Sequence, residues 1–443
     1  MKWINVMKNF NFIMSVLFLI FGLIMASLAF YKSEFIHQGQ IRSHFFNYYI
    51  FSFFVIILVI SLQIFTKKIR TNIFLILISC SIGFTFFETL LEFKVDKLLL
   101  SDVKAFKNPY SHILKNENKK DHIPRILPGS LLPNGLDDVY FPASSISLKN
   151  TVMCEESSGM ISYLSDRYGF NNDDIIWDKE ITATLIGDSF VHGDCVSREK
   201  TISGNLNHLA NKYFFLNLGM GGNGPLLKLL SLREFGFVRK TKNILWFYFE
   251  GNDFIELEFE SSSRILSSYL YDAKFTQNLS SKTQNLDKKF LTIHNKIMKN
   301  QKFPNFLLPR LKNILVLKNI RGLLSRLSAQ DLKEGNFNID KYEKILIKAK
   351  EFSLINKANF YFIYLPTFER FSDSQLIHDE FLNKRVVINT MKANDIKVID
   401  ISNLVFETSQ DPLEFFPDRK NGHYNEKGYR EIAKKLIEIL KFN

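Results

Sequence analysis

The chain has 443 residues, 46% of them hydrophobic and 44 of them Phe, enough for a membrane region plus one large domain. The formal net charge is +12, which would suit a nucleic-acid partner until its location is considered below. The three Cys and the scattered His lack metal-ligand spacing, so no metal or organic cofactor is implied.

Three apolar segments crowd residues 1–95. Phe10–Tyr31, Asn47–Phe65 and Asn72–Leu91 carry no charge except Glu88, and each is long enough to cross a hydrocarbon layer of roughly 30 Å as a helix. Ser27-Leu28-Ala29 could pass as a signal-peptide cleavage site, but the first segment is long and two more follow, which favours an uncleaved anchor. Lys2 and Lys8 precede the first span, and Lys67, Lys68 and Arg70 fill the short turn between the second and third. Lys32, Arg42, Lys94 and Lys97 lie on the other side. The dense, short turn decides orientation, so the N-terminus is expected in the cytoplasm and everything after residue 95 outside it.

Residues 96–129 read as a juxtamembrane tether, rich in Lys, Asn, His and Pro and without a persistent apolar period. From 130 to 443 the chain alternates strand and helix. Strands are expected at Ile181–Ile186, Tyr213–Leu218, Asn243–Phe249, Asn359–Leu365 and Lys397–Ile401. Helices are expected at Asn205–Asn211, Pro225–Phe235 and from Asn425 to Leu440, the last with Ile432, Leu436 and Leu440 on one face. Such alternation implies an α/β fold, a parallel sheet buried on both sides by helices.

A long insertion, about 255–340, separates the third and fourth strands. Residues 282–326 hold eleven Lys or Arg and one acid, Asp287. The segment reads either as a helix packed on the domain with solvated charges or as a lid or surface that meets anionic lipid or glycan. Nucleic acid is not an expected partner, because this charge lies on the far side of the membrane from it. Cys154 and Cys195 are the two cysteines of the extramembrane part. They are either a disulfide, which an oxidising compartment permits, or two unrelated thiols.

Four short motifs carry the chemistry. Gly187-Asp188-Ser189 follows the first strand, Asn217-x-Gly219-x-x-Gly222 the second, Gly251-Asn252-Asp253 the third, and Gly422-His423-Tyr424-Asn425 precedes the last helix. A serine at a strand-to-helix turn is exposed at the sheet's carboxyl edge, where a helix N-terminus favours developing negative charge. The Ser189 and Gly222 N–H groups and the Asn252 amide form a three-donor oxyanion hole, and His423 is the general base. Val191 breaks the Gly-x-Ser-x-Gly pattern, so this is not the nucleophile elbow of α/β-hydrolases. In a sheet ordered 2-1-3-4-5 the reversal lies between strands one and three, so Ser189 and Asn252 face one crevice.

In these four motifs, Ser189, Gly222, Asn252 and His423, the chain resembles the SGNH hydrolases, or GDSL esterases, of the membrane-anchored bacterial type. Ser165-Asp166-Arg167-Tyr168-Gly169-Phe170 also resembles the lead-in of tethered members. The resemblance implies a three-layer α/β/α, flavodoxin-like sheet over 130–443. It implies a serine esterase working through an acyl-serine on esters of cell-envelope glycan or lipid. The alternatives are a glycan O-acetyltransferase of the same fold, which would need an acyl-donor membrane partner, and a silent glycan-binding scaffold. The implied location is a bacterial inner membrane, multi-pass, with the catalytic domain periplasmic. One departure stands out. The family places an Asp three residues before its His, and here that residue is Lys420; a variant has it two before, where Asn421 stands. Either Asp418 curls back to hold the imidazole, or the site is a Ser–His dyad whose tautomer an Asn or a carbonyl sets.

Overall fold

The structure, a computed structural model, describes residues 2–36, 42–102, 122–132, 135–136, 139–156, 159–302, 314, 317, 320, 338–372 and 378–442. The chain forms two compact units, residues 1–99 with 306–326 and residues 100–305 with 327–443. Residues 103–121 of the expected tether, and most of the basic stretch from 303 to 326, lie outside the described residues.

The first unit contains α1 (Lys2–Phe30), α2 (Arg42–Leu62) and α3 (Lys67–Asp102). Phe10–Phe35, Phe45–Leu62 and Lys67–Leu91 are long and apolar enough to cross a membrane. Phe12, Leu23, Phe53 and Ile76 turn outward and are exposed, as a surface facing hydrocarbon allows. Asn11 and Ser15, by contrast, are buried. Asn11 donates to Thr71 Oγ1 at 2.9 Å, and Gln63 to Ser15 Oγ at 3.1 Å, the interhelical bonds that hold apolar helices in register.

The second unit is built on five parallel strands: β4 (Ile181–Ile186), β5 (Phe215–Asn217), β6 (Thr241–Phe249), β7 (Asn359–Leu365) and β8 (Lys397–Asp400). Their order is β5-β4-β6-β7-β8, the expected 2-1-3-4-5. Every residue of β4 is buried, because a central parallel strand has helices on both faces. Alternation along β6 divides two cores. Ile244, Trp246 and Tyr248 join the cluster of α6 (Pro225–Phe235) and α10 (Ile339–Ile355). Leu245, Phe247 and Phe249 join that of α5 (Ile202–Leu209) and α12 (Glu426–Leu440). The layers are therefore α/β/α. The expected strand boundaries agree closely, save that β5 shortens to three residues, and the helix expected at Asn205–Asn211 runs instead from Ile202 to Leu209.

The edge strand β5 is closed by two asparagines. Phe215 N–H donates to Asn207 Oδ1 at 2.9 Å and Asn207 Nδ2 to the Phe215 carbonyl at 3.2 Å. Asn217 N–H donates to Asn172 Oδ1 at 2.9 Å and Asn172 Nδ2 to the Asn217 carbonyl at 2.8 Å. Each side-chain amide thus takes the place of a neighbouring peptide, which removes a free edge.

A second, three-stranded sheet joins β1 (Ile123–Pro124), β2 (Asn150–Glu156) and β3 (Gly159–Leu164). Ile123 and Ile126 are buried in the larger core, so the chain is already folded at residues where the sequence reads as tether. The sequence did not announce this sheet, since β2 and β3 are short and mixed in polarity.

Candidate active site

Ser189 opens α4 (Ser189–His192), a single turn capped by Asp188, whose carboxylate accepts the Phe190 N–H at 3.0 Å. The β4-to-α4 turn is tight, and Ser189 is 8% exposed. His423 stands in the loop before α12, and its Nε2 lies 2.9 Å from Ser189 Oγ. The nucleophile and base expected from sequence are therefore in hydrogen-bond contact.

The glycine-rich turn after β5 packs against the nucleophile turn. Met220 N–H donates to the Gly187 carbonyl at 3.3 Å, and Asn217 Nδ2 to the Val191 carbonyl at 2.7 Å. Gly219 must be glycine, because a Cβ there would lie 2.4 Å from the His192 nitrogen. At Gly222 an added Cβ would meet nothing within 4 Å, but φ is +71°, a left-handed backbone that a side chain disfavours. Asn252 is the N-cap residue of α7 (Asp253–Glu260), yet its side chain does not cap it. Its Oδ1 is buried without a hydrogen-bond partner, so the amide is not committed to the local fold.

Asp418 does not join His423. It is exposed, in a left-handed conformation at φ +49°, and no hydrogen bond links the two residues. Lys420 is exposed as well, and Asn421 donates to Glu369. The imidazole has other neighbours. The Phe190 ring lies 4.9 Å from it, centroid to centroid, and is itself stacked on Phe249 at 3.9 Å. Cys195 Sγ is 4.0 Å from His423 Nδ1. Cys195 is disulfide-bonded and Cys80 is free; the side chain of Cys154 lies outside the described residues.

Two buried charge networks support the turns. Beneath the Asn252 turn, Lys228 Nζ is 2.5 Å from Asp253 Oδ1 and donates to the Phe247 carbonyl at 3.0 Å. Burial, resisted by Lys228, pushes Asp253 up to about 6. The second network joins Arg125, Asp194 and His192: Arg125 is paired to both oxygens of Asp194, and His192 Nδ1 lies 2.8 Å from Asp194 Oδ1. Burial opposes charge on Asp194, but Arg125 and His192 outweigh it and hold the carboxyl well below its usual range. Arg125 also lies under Gly221, tying the glycine turn to the loop after Ser189. Sequence reasoning missed both networks. A lone Lys228 inside Leu226-Leu227-Lys228-Leu229-Leu230 was the legible signal, since a buried lysine requires a partner.

A cleft of about 1000 Å³ runs past Asn172, His208, Tyr213 and Arg430 and includes none of the four motif residues. The Ser189–His423 contact lies apart from that lining.

No family model matches the sequence, and no curated protein does. Similar solved structures include a member of the lipolytic protein G-D-S-L family from Veillonella parvula DSM 2008. It is 14% identical, covering 59% of this chain and 98% of that one, at a TM-score of 0.34. Another is the acetyl xylan esterase AlAXEase, 13% identical, covering 58% and 98%, at a TM-score of 0.32. A third is an α/β hydrolase enzyme from the metagenome of Lake Arreo, Spain, 11% identical, covering 59% and 96%, at a TM-score of 0.32. Similarity at this level assigns no activity.

Proposed function

We propose that the chain is a membrane-anchored serine esterase of the SGNH type. The observation that carries this reading is the 2.9 Å contact between Ser189 Oγ and His423 Nε2 at the carboxyl edge of a parallel sheet, beside its order reversal. His423 takes the hydroxyl proton as Ser189 Oγ attacks the acyl carbonyl. The Ser189 and Gly222 N–H groups and the Asn252 amide receive the oxyanion. Collapse expels the alcohol, which takes its proton from the imidazolium. Water, deprotonated by His423, then attacks the acyl-serine, and the acid leaves as Ser189 regains its proton.

The three apolar helices support an anchored enzyme, and the basic turn at Lys67–Arg70 supports a domain on the periplasmic side. Acyl esters of envelope glycan or lipid are the substrates such a position offers. The same acyl-serine could pass to a sugar hydroxyl in place of water. A fluorophosphonate probe should label the wild type and not Ser189→Ala. Acetate release from an acetylated glycan, with and without acceptor sugar, should separate hydrolysis from transfer. An unlabelled wild type would overturn the esterase reading in favour of a silent scaffold.

A further inference from the structure

We propose that Pro366–Phe371, the segment leaving β7, is a strap that sets the oxyanion turn and the base loop in one geometry, with Arg370 and Glu250 as positioning residues. The proposal rests on the esterase reading and names residues that act through Asn252 and His423.

One side of the strap holds the Asn252 turn. Glu250 is the first residue past β6 and stands two before Asn252. Its side chain is 2% exposed, and its carboxylate is surrounded by donors. Arg370 Nε reaches Oε1 at 2.9 Å, and a second guanidinium nitrogen reaches Oε2 at 2.5 Å. The Thr367 N–H donates to Oε1 at 2.8 Å, and the Tyr364 hydroxyl donates to Oε2. A buried carboxylate so filled is tolerated, and it is fixed in position.

The other side holds the His423 loop. Pro366 offers its carbonyl to the Tyr424 hydroxyl at 2.5 Å. Glu369 accepts from the Asn421 amide with one oxygen and from the Thr367 hydroxyl with the other. Phe368 meets Phe416 edge to face at 5.2 Å. The strap thus grips residues 421 and 424, on either side of His423, and also the carboxylate two residues before Asn252. The bidentate Arg370 pair and the Thr367 N–H both join the strap to the Glu250 carboxylate. Lysine could not replace this arginine, because a point charge makes one arm of the fork and not two.

The experiment measures kcat, KM and the pH–rate profile per fluorophosphonate-titrated site. The variants are Arg370→Lys, Asn421→Ala and Glu369→Gln in the full chain. Arg370→Lys should lower kcat per site by about 10- to 10²-fold, the loss expected of a misplaced catalytic group, with KM little changed. The alkaline-rising limb, which reports the base, should shift. In a double-mutant cycle with Asn252→Ala the effects should be non-additive, because both act on one donor. Asn421→Ala and Glu369→Gln cut the more exposed arm, so they decide the matter if Arg370→Lys does not fold; each should lower kcat in the same sense, by less. A merely structural segment would reduce the number of titratable sites and leave kcat per site and the pH profile unchanged, and that result would overturn the proposal. A wild type that takes no label would remove the esterase reading itself, and the strap with it.

Discussion

His423 Nε2 stands 2.9 Å from Ser189 Oγ across 234 residues of sequence, and the imidazole is flanked by the Phe190 ring and by Cys195 Sγ rather than by Asp418. This contact ties the last loop of the fold to its first strand-to-helix turn. It also sets the expectations below.

Removing the base and removing one oxyanion donor should differ in kind. His423→Ala should suppress both labelling and turnover nearly as far as loss of Ser189, since the hydroxyl is a weak nucleophile alone. Asn252→Ala should still label but turn over about 10²- to 10³-fold more slowly, the usual loss for one donor. Labelling rates and steady-state kinetics on the same preparations check both.

Asp418→Asn should change kcat by less than about 2-fold, because its exposed carboxylate holds nothing on His423. A residue orienting the imidazole would instead cost up to about 10⁴-fold. Steady-state rates at fixed pH decide between the two, and a loss of the larger size would mean the loop moves during catalysis.

Cys195 is disulfide-bonded and Cys80 free. Alkylation of denatured, non-reduced protein should therefore mark Cys80 alone, read by peptide mass spectrometry. Since Cys195 Sγ lies 4.0 Å from His423 Nδ1, mild reduction should also lower turnover. Three marked cysteines before reduction would contradict the bond.

The contribution of Glu256 and Glu260 to stability should fall as pH rises from about 5 to 8, while His192, whose charged form burial disfavours, acts in the opposite sense. Burial pushes Glu260 up to about 8, and burial with Asp188 and Asp253 nearby pushes Glu256 up to about 7. Both folded values lie above the unfolded one, near 4.3. The folded chain therefore holds more protons in this window, and the stabilisation is lost as they leave. Glu260 accepts the Leu226 N–H at 2.7 Å, a role a glutamine oxygen keeps. Glu260→Gln should flatten the decline, by about 2–4 °C in Tm for each kcal/mol removed. Thermal melts at pH 5 and 8 measure the difference in slope.

A reporter active only in the periplasm, fused after residue 130, should be active. The dense positive turn at Lys67–Arg70 motivates this. Activity from a cytoplasmic reporter alone at that point would reverse the orientation and remove the expected oxidising compartment.

The parallel strands and the three apolar helices were legible in the sequence because each depends on local pattern, whereas the strand order came with the family resemblance and was decided by the pairing of distant strands. A run such as Ile181–Ile186, β-branched or apolar throughout, is buried at every position because both faces of the sheet are covered. Motif order then placed Ser189 and His423 at the ends of elements that must meet at one sheet edge. What surrounds the imidazole was not legible. Asp418 is five residues from His423, but a left-handed turn carries it to solvent. Phe190 and Cys195 come from the nucleophile loop, 228 to 233 residues away in sequence by the numbering. The Glu250–Arg370 and Lys228–Asp253 pairs also join separate elements. Periodicity reports which face of an element is buried. It does not report which buried charge meets which, because that pairing exists only once distant segments share a low-dielectric interior where an unpaired charge is costly.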